Sequence, residues 1–284
     1  MIVSETPTVR SGPERNTRMT QAIRLTPSLR EKVWGKTRLE PWFPDSASPI
    51  GEAWFLAERE LPLLVKLLFT SDRLSVQVHP ADGEDGPRGK TEMWYILEAE
   101  PGATIAAGFR ELITRERLLE ATRSGEVERL LNWIEVKPGE TYFTPAHTVH
   151  AIGAGIVLCE IQQNSDVTYR LWDYGRSRPI QVEKAVPIAD LGVYPGAARP
   201  VRVSDTHQEL VRDRHFITEL VQLGSGAAET PEPHACQLWI VIEGNGDIGD
   251  EAYRRGDVWL LPDAGVQPEV KAGKPSRFLR TWAP

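Results

Sequence analysis

The chain is poor in cysteine. Cys159 and Cys236 are the only two in 284 residues, too few for a disulfide framework, and such thiol usage suits the cytoplasm. Long apolar runs are missing. The best, Leu61 to Phe69, is interrupted by Lys66 and falls far short of the roughly 20 residues a membrane-spanning helix needs. The first 20 residues lack the apolar stretch of a secretory signal. Positive charge is not in excess: the formal net charge is -7, so no basic nucleic-acid footprint is expected. Partners among nucleic acids and membranes are therefore not expected. Tryptophan (9), proline (22) and glycine (23) are by contrast plentiful. Frequent turns with aromatic cores predict many short strands. The length suits one large or two ordinary domains.

Residues 1–20 are polar and without periodicity; we expect a disordered leader there, with Met19 as an alternative start. Strand patterns then follow at Gly51 to Leu56, Leu61 to Phe69, Thr104 to Phe109 and Ile156 to Gln162. Lys66 is the odd residue of the second. It either has a buried partner or extends its ammonium out of the core. Between about 111 and 133 the pattern turns helical. Thr114 reads as an N-cap and Gly125 as a C′ residue, giving two short inserted helices. The stretch from Pro195 to about Asp213 shows no core pattern and reads as a linker. Beyond it, strands at His215 to Leu223 and Cys236 to Glu243 alternate with Gly-rich turns. That second set loosely repeats the arrangement from Glu98 to Pro145. The fold class expected is all-β: two tandem jelly rolls with a short helical insertion. The divisions are 1–20, 21–195 and 196–284.

Chemistry concentrates around Leu74 to Glu92, LSVQVHPADGEDGPRGKTE. Period-two alternation places Gln77 and His79 on one strand face. Glu92 opens the next apolar run, and His150 follows a Pro-Ala turn. Alone, a strand histidine reads as a hydrogen-bonded structural residue. In the company of Gln77, Glu92 and His150, His79 also reads as a metal ligand, and the pattern leaves both open. Two imidazoles with oxygen donors and no thiolate suit Zn²⁺, and also Fe²⁺, Mn²⁺, Co²⁺ or Ni²⁺. His147 lies three before His150, on the opposite face if the segment is a strand. Asp166, Thr168 and Arg170 are expected to share one strand face. Lys66, Lys90, Asp166 and Arg170 gather charge near this site, and the cations among them suggest an anionic substrate such as a sugar phosphate. Cys159 reads as packing.

Five motifs carry a resemblance. LLVKLL, LSVQVHP, GKTEMWYIL, TPAHTVHAIGAG and EIQQNSDVTYRLWDYGR, in order from Leu63 to Arg176, resemble the signatures of type I phosphomannose isomerases in their compact bacterial form. Weaker similarity runs from Trp34 to the C-terminus. The resemblance implies a metal-binding catalytic cupin domain followed by a β-domain without metal. It implies one Zn²⁺ held by Gln77, His79, Glu92 and His150, and a catalytic Arg170. Lys90 and Asp166 stand among the proposed acid/base or positioning groups, and Lys66, Lys90 and Arg170 line the substrate pocket. The implied reaction interconverts mannose 6-phosphate and fructose 6-phosphate through an enediol. The sequence departs from the family in two places: His147 stands where glycine is expected, and the loop between His79 and Glu92 is short. A monomer or homodimer is expected. The competing readings are a non-catalytic sugar-binding cupin and an iron-dependent cupin oxygenase. All four ligand positions are filled, against the first; the Gly-rich histidine motif is absent, against the second.

Overall fold

Strand alternation in the sequence becomes strands in the computed structural model, which describes residues 21–284. The expected leader, 1–20, lies outside the described residues. The first half of the chain contributes β1 (Ile23–Lys36), β2 (Ile50–Leu56), β3 (Leu63–Phe69), β4 (Val76–Val78), β5 (Glu92–Ala99) and β6 (Thr104–Phe109). Helices α1 (Arg115–Ser124) and α2 (Val127–Leu130) intervene before β7 (Leu131–Glu135), β8 (Thr141–Thr144), β9 (His150–Ile152), β10 (Ile156–Gln163) and β11 (Tyr169–Trp172). After α3 (Val182–Ile188) come β12 (Val201–Arg202), β13 (His207–Arg212), β14 (Ile217–Leu223), β15 (Ala228–Glu229) and β16 (Leu238–Glu243). The last strands are β17 (Asn245–Ile248), β18 (Glu251–Arg254), β19 (Val258–Leu260), β20 (Val270–Ala272) and β21 (Ser276–Trp282).

Two jelly rolls result, as the sequence predicts. In the first, strands β2-β3-β10-β5-β8 face a five-stranded sheet ordered β11-β4-β9-β6-β7. In the second, β13-β14-β21-β16-β19 face β15-β20-β17-β18. The long strand β1 pairs with β19 through Ile23 to Leu25 and with β2 from Thr26 onward. It thereby joins the two larger sheets into one of twelve strands. The two halves of that sheet pack on each other. Val65, Leu67, Met93 and Ile161 share a core cluster with Phe216, Leu238, Ile240 and Leu279. This explains why Leu63–Phe69 is buried along its whole length. One face of β3 lines the first barrel, and the other is covered by the second.

The insertion has the expected caps. Thr114 accepts a hydrogen bond from the Arg117 N–H at 3.2 Å, and Gly125 takes φ 79°, donating to the carbonyls of Ala121 and Thr122. Two expectations are corrected. The stretch 195–213 is not a bare linker: it holds β12 and β13, and β13 pairs with β14. Its alternation is faint because β13 buries only Leu210 and Val211. The strand carrying Arg170 begins at Tyr169, so Asp166 and Thr168 lie in the preceding loop and the period-two argument does not reach them. Helix α3 is absent from the sequence reading. Pro187 lies inside it; Arg115 of α1 secures its end, donating to the carbonyls of Val186 at 2.5 Å and Ala189 at 3.3 Å.

Candidate metal centre

Both sheets of the first barrel supply the site. Cross-strand partners share a face, and on the smaller sheet Arg170, Gln77 and His150 stand side by side on β11, β4 and β9. On the larger sheet Lys66, Glu160 and Trp94 form one row, and Gln162 and Glu92 form the next but one. His79 follows β4 directly. The ligand atoms of His79, Glu92 and His150 lie within 4.8 Å of one another, and all three residues are buried.

The histidines are oriented by main-chain carbonyls. His79 Nδ1–H donates to Val167 O at 2.9 Å, and His150 Nδ1–H to Thr148 O at 2.8 Å. Each Nε2 lone pair is therefore left for the centre, the arrangement that fixes a metal-binding tautomer. His150 Nε2 is 3.4 Å from Glu92 Oε1, and His79 Nε2 is 3.7 Å from Glu92 Oε2. Glu92 Oε1 is buried without a hydrogen-bond partner among the described residues. An orphaned carboxylate oxygen between two inward imidazole nitrogens is the donor set a divalent cation satisfies. Gln77 borders the same centre, with Nε2 3.3 Å from His150 Nε2; a half-turn of the amide presents Oε1 instead.

Burial sets the charges. It holds both imidazoles below their usual range, His150 at about 4, with the Lys90 ammonium acting in the same direction. Burial and the nearby Glu160 raise Glu92 to about 7, against the pull of Lys90. Burial alone would also raise Glu160, but Lys90 and Lys66 outweigh it and hold that carboxyl at about 2. Both imidazoles are thus neutral ligands in waiting.

Lys66 does not extend out of the core. Its Nζ bonds Glu160 Oε1 at 3.0 Å and lies 4.3 Å from the centroid of the Trp54 ring. Lys90 is buried too; its Nζ bonds Glu92 Oε2 and lies 3.1 Å from His79 Nε2. Arg170 is only part-buried. Its Nε has no hydrogen-bond partner, and among the described residues no carboxylate pairs with its guanidinium. Asp166 is exposed, yet near enough to favour the charged forms of Lys90 and Arg170. Cys159 is buried in the shared core, as expected. The sequence reading missed Glu160. Its signal was there: a lone acid at the centre of an apolar strand, with an equally odd lysine in the apolar strand beside it.

His147 is turned away from the centre. It takes φ 75°, the left-handed region that glycine enters freely and other residues rarely. Its ring bonds Glu84 Oε2 at 2.7 Å, and its N–H donates to His79 O at 2.9 Å. The backbone thus makes a turn that suits glycine, the residue expected there, and the His147 side chain ties down the loop from Ala81 to Gly89. Asp85 of that loop accepts from Tyr169 Oη at 2.6 Å and from Lys184 Nζ at 3.1 Å.

No family model matches the chain. Relatives do. It is 31% identical over 302 residues to mannose-6-phosphate isomerase ManA of Bacillus subtilis, covering 86% of this chain and 93% of that one. It is 32% identical to the mannose-6-phosphate isomerase of Streptococcus mutans, with the same coverage. The crystal structure of the mannose 6-phosphate isomerase from Bacillus subtilis superposes with a TM-score of 0.82 at 28% identity, over 92% of this chain and 99% of that one. The likeness bears out the tandem cupin architecture. Two barrels of this topology, a buried His-Glu-His triad and this similarity over nearly the whole length together place the chain in the mannose-6-phosphate isomerase family.

Proposed function

We propose that this chain is a metal-dependent aldose–ketose isomerase that interconverts mannose 6-phosphate and fructose 6-phosphate. The observation that carries the reading is the convergence of His79, Glu92 and His150 inside the first barrel, with Lys90 against them and Arg170, unpaired among the described residues, in register beside Gln77 and His150. We take Gln77 as the fourth ligand, through its amide oxygen, and Zn²⁺ as the ion, since the set has two imidazoles, oxygen donors and no thiolate. Bound there, the ion supplies Lewis-acid polarisation of substrate oxygens.

The isomerisation moves a proton between C1 and C2 and passes through an enediolate, so negative charge develops on adjoining oxygens. Arg170, always cationic, has no carboxylate partner among the described residues and stabilises that charge or holds the phosphosugar in register. Lys90 lies between the carboxylates of Glu92 and Glu160. They favour its protonated form, which suits it to donate a hydrogen bond to a substrate oxygen rather than take a proton from carbon. Asp166, exposed at the margin, is the candidate base. Lys66 lines the pocket wall through its pair with Glu160. The shell of Trp54 and Trp94 limits water around these charges.

A coupled assay following fructose 6-phosphate from mannose 6-phosphate, with metal analysis of the same sample, tests the reading. Turnover that vanishes with chelation and returns with Zn²⁺ is the expected result. A metal-loaded chain without turnover would leave only a sugar-binding cupin.

A further inference from the structure

One turn of the second barrel lies against the loop that joins His79 to Glu92. Between β13 and β14, His215 accepts a hydrogen bond at Nε2 from Arg214 Nε at 3.0 Å. Its Nδ1–H is thereby directed outward, and it lies 3.8 Å from Asp82 Oδ2. Asp82 belongs to the short loop between His79 and Glu92. Its Oδ1 accepts from the Gly89 N–H at 2.7 Å and from Gln163 Nε2 at 2.8 Å. The first bond closes the neck of the loop. There is no room for a side chain at that neck: a Cβ on Gly89 would come 2.6 Å from the Ala81 carbonyl carbon.

The second bond leads inward. The Gln163 carboxamide is buried, and its Oε1 accepts from the Thr91 N–H at 2.9 Å. The Gln163 N–H returns a bond to Thr91 O at 3.0 Å. Thr91 stands between Lys90 and Glu92, and its Oγ1 accepts from the Ala146 N–H at 3.2 Å, on the loop that leads to His150. The same turn of the second barrel also packs beside β5 through β8. Phe216 meets Phe143 edge to face with centroids 6.2 Å apart, and Phe143 of β8 pairs with Met93, next to Glu92.

We propose that Asp82, Gln163 and His215 are positioning residues for the isomerase reaction: through them the second barrel fixes the start of β5, and so where Lys90 and Glu92 stand. The inference rests on the reading of His79, Glu92 and His150 as metal ligands. None of the three positioning side chains touches the centre, so each acts through the Thr91 peptide. The Gly89 N–H and, behind it, the Gln163 carboxamide hold the Asp82 carboxyl below its ordinary range, in keeping with a carboxylate built into a fixed set of donors.

The test uses the full chain loaded with Co²⁺, whose visible absorption reports ligand geometry. Affinity is read by competition with a chromophoric chelator, and kcat and KM with mannose 6-phosphate. Asp82→Ala is expected to weaken Co²⁺ binding and lower kcat, each roughly tenfold, the lower end for a residue behind a metal ligand, with KM little changed and the Co²⁺ spectrum altered. His215→Ala, a change in the other barrel, is expected to shift the same readouts in the same direction by a smaller factor, and His215→Gln to restore them. Unchanged Co²⁺ affinity, spectrum and kcat in His215→Ala and Gln163→Ala would overturn the proposal even if Asp82→Ala failed to fold. Failure of the unaltered chain to bind Co²⁺ would instead sink the metal centre itself, and the positioning role with it.

Discussion

Each charged side chain in the first barrel is legible by what it would lose. His150 offers Nε2 only because its other nitrogen is tied to Thr148 O. His150→Ala is expected to abolish stoichiometric metal and turnover together; elemental analysis beside the coupled assay checks this, and activity surviving without metal would reject the ligand role. Arg170 makes no ion pair among the described residues, so its loss leaves the fold and the metal alone. Arg170→Ala is expected to retain metal and lose kcat by about 10²- to 10³-fold, the usual cost of removing a transition-state charge contact; steady-state kinetics on the metal-replete variant decides. Lys66 and Glu160 form an ion pair with side chains only 4% and 6% exposed. Glu160→Leu strands a buried ammonium and is expected to cost roughly 3–5 kcal/mol, whereas Lys66→Met with Glu160→Leu recovers most of it. Urea midpoints of the single and double variants measure the difference.

Elements differ in how much of their structure is local, and so in how legible they are in the sequence. The helical insertion announced itself through Thr114 and Gly125, since caps are local chemistry. Gly125 is also pressed against β11: a Cβ there would come 2.9 Å from Trp172. Its φ of 79° adds strain for any other residue, so Gly125→Ala is expected to destabilise by about 1–3 kcal/mol, read from the denaturation midpoint, with metal content intact. Helix α3 gave no such signal. It is short, holds Pro187 and exists by docking on α1, which no local pattern records. Strand β13 was hidden by its half-exposed face. The first barrel aligns Lys66, Glu160, Trp94 and Tyr142 across β3, β10, β5 and β8. The second aligns Glu219, Arg280, Trp239 and Trp259 across β14, β21, β16 and β19. The internal repeat glimpsed in the turns is thus repeated in the barrel walls, with the charges of the ion pair exchanged. Where the first barrel places Glu92, two residues before Trp94, the second places Gln237, whose Oε1 accepts from Arg280 at 2.6 Å and from Trp239 at 3.1 Å.

At the scale of the whole molecule, the two barrels are not separable units. Strand β1 belongs to the ladders of both, and the largest apolar cluster draws on both. Cutting the chain near residue 195 would expose Val65, Leu67, Met93 and Ile161 to water. Scanning calorimetry is accordingly expected to show one cooperative transition for the full chain, with calorimetric and van't Hoff enthalpies in agreement. Two resolved transitions would mean that the shared core is not what holds the halves together.

The sequence by itself determined the strand pattern, the capped insertion, the chemical identities of Gln77, His79, Glu92, His150 and Arg170, and, through its motifs, the family. Those are properties of short stretches, set by side-chain period, backbone preference and donor type. Only the tertiary structure decided that Lys66 meets Glu160, 94 residues away, that Asp166 lies off its strand, that His147 occupies a glycine's conformation, and that a turn of the second barrel stands beside the first barrel's metal loop. Each of these depends on register between strands distant in the chain, and register is fixed by which faces are buried together, a quantity that no single segment contains.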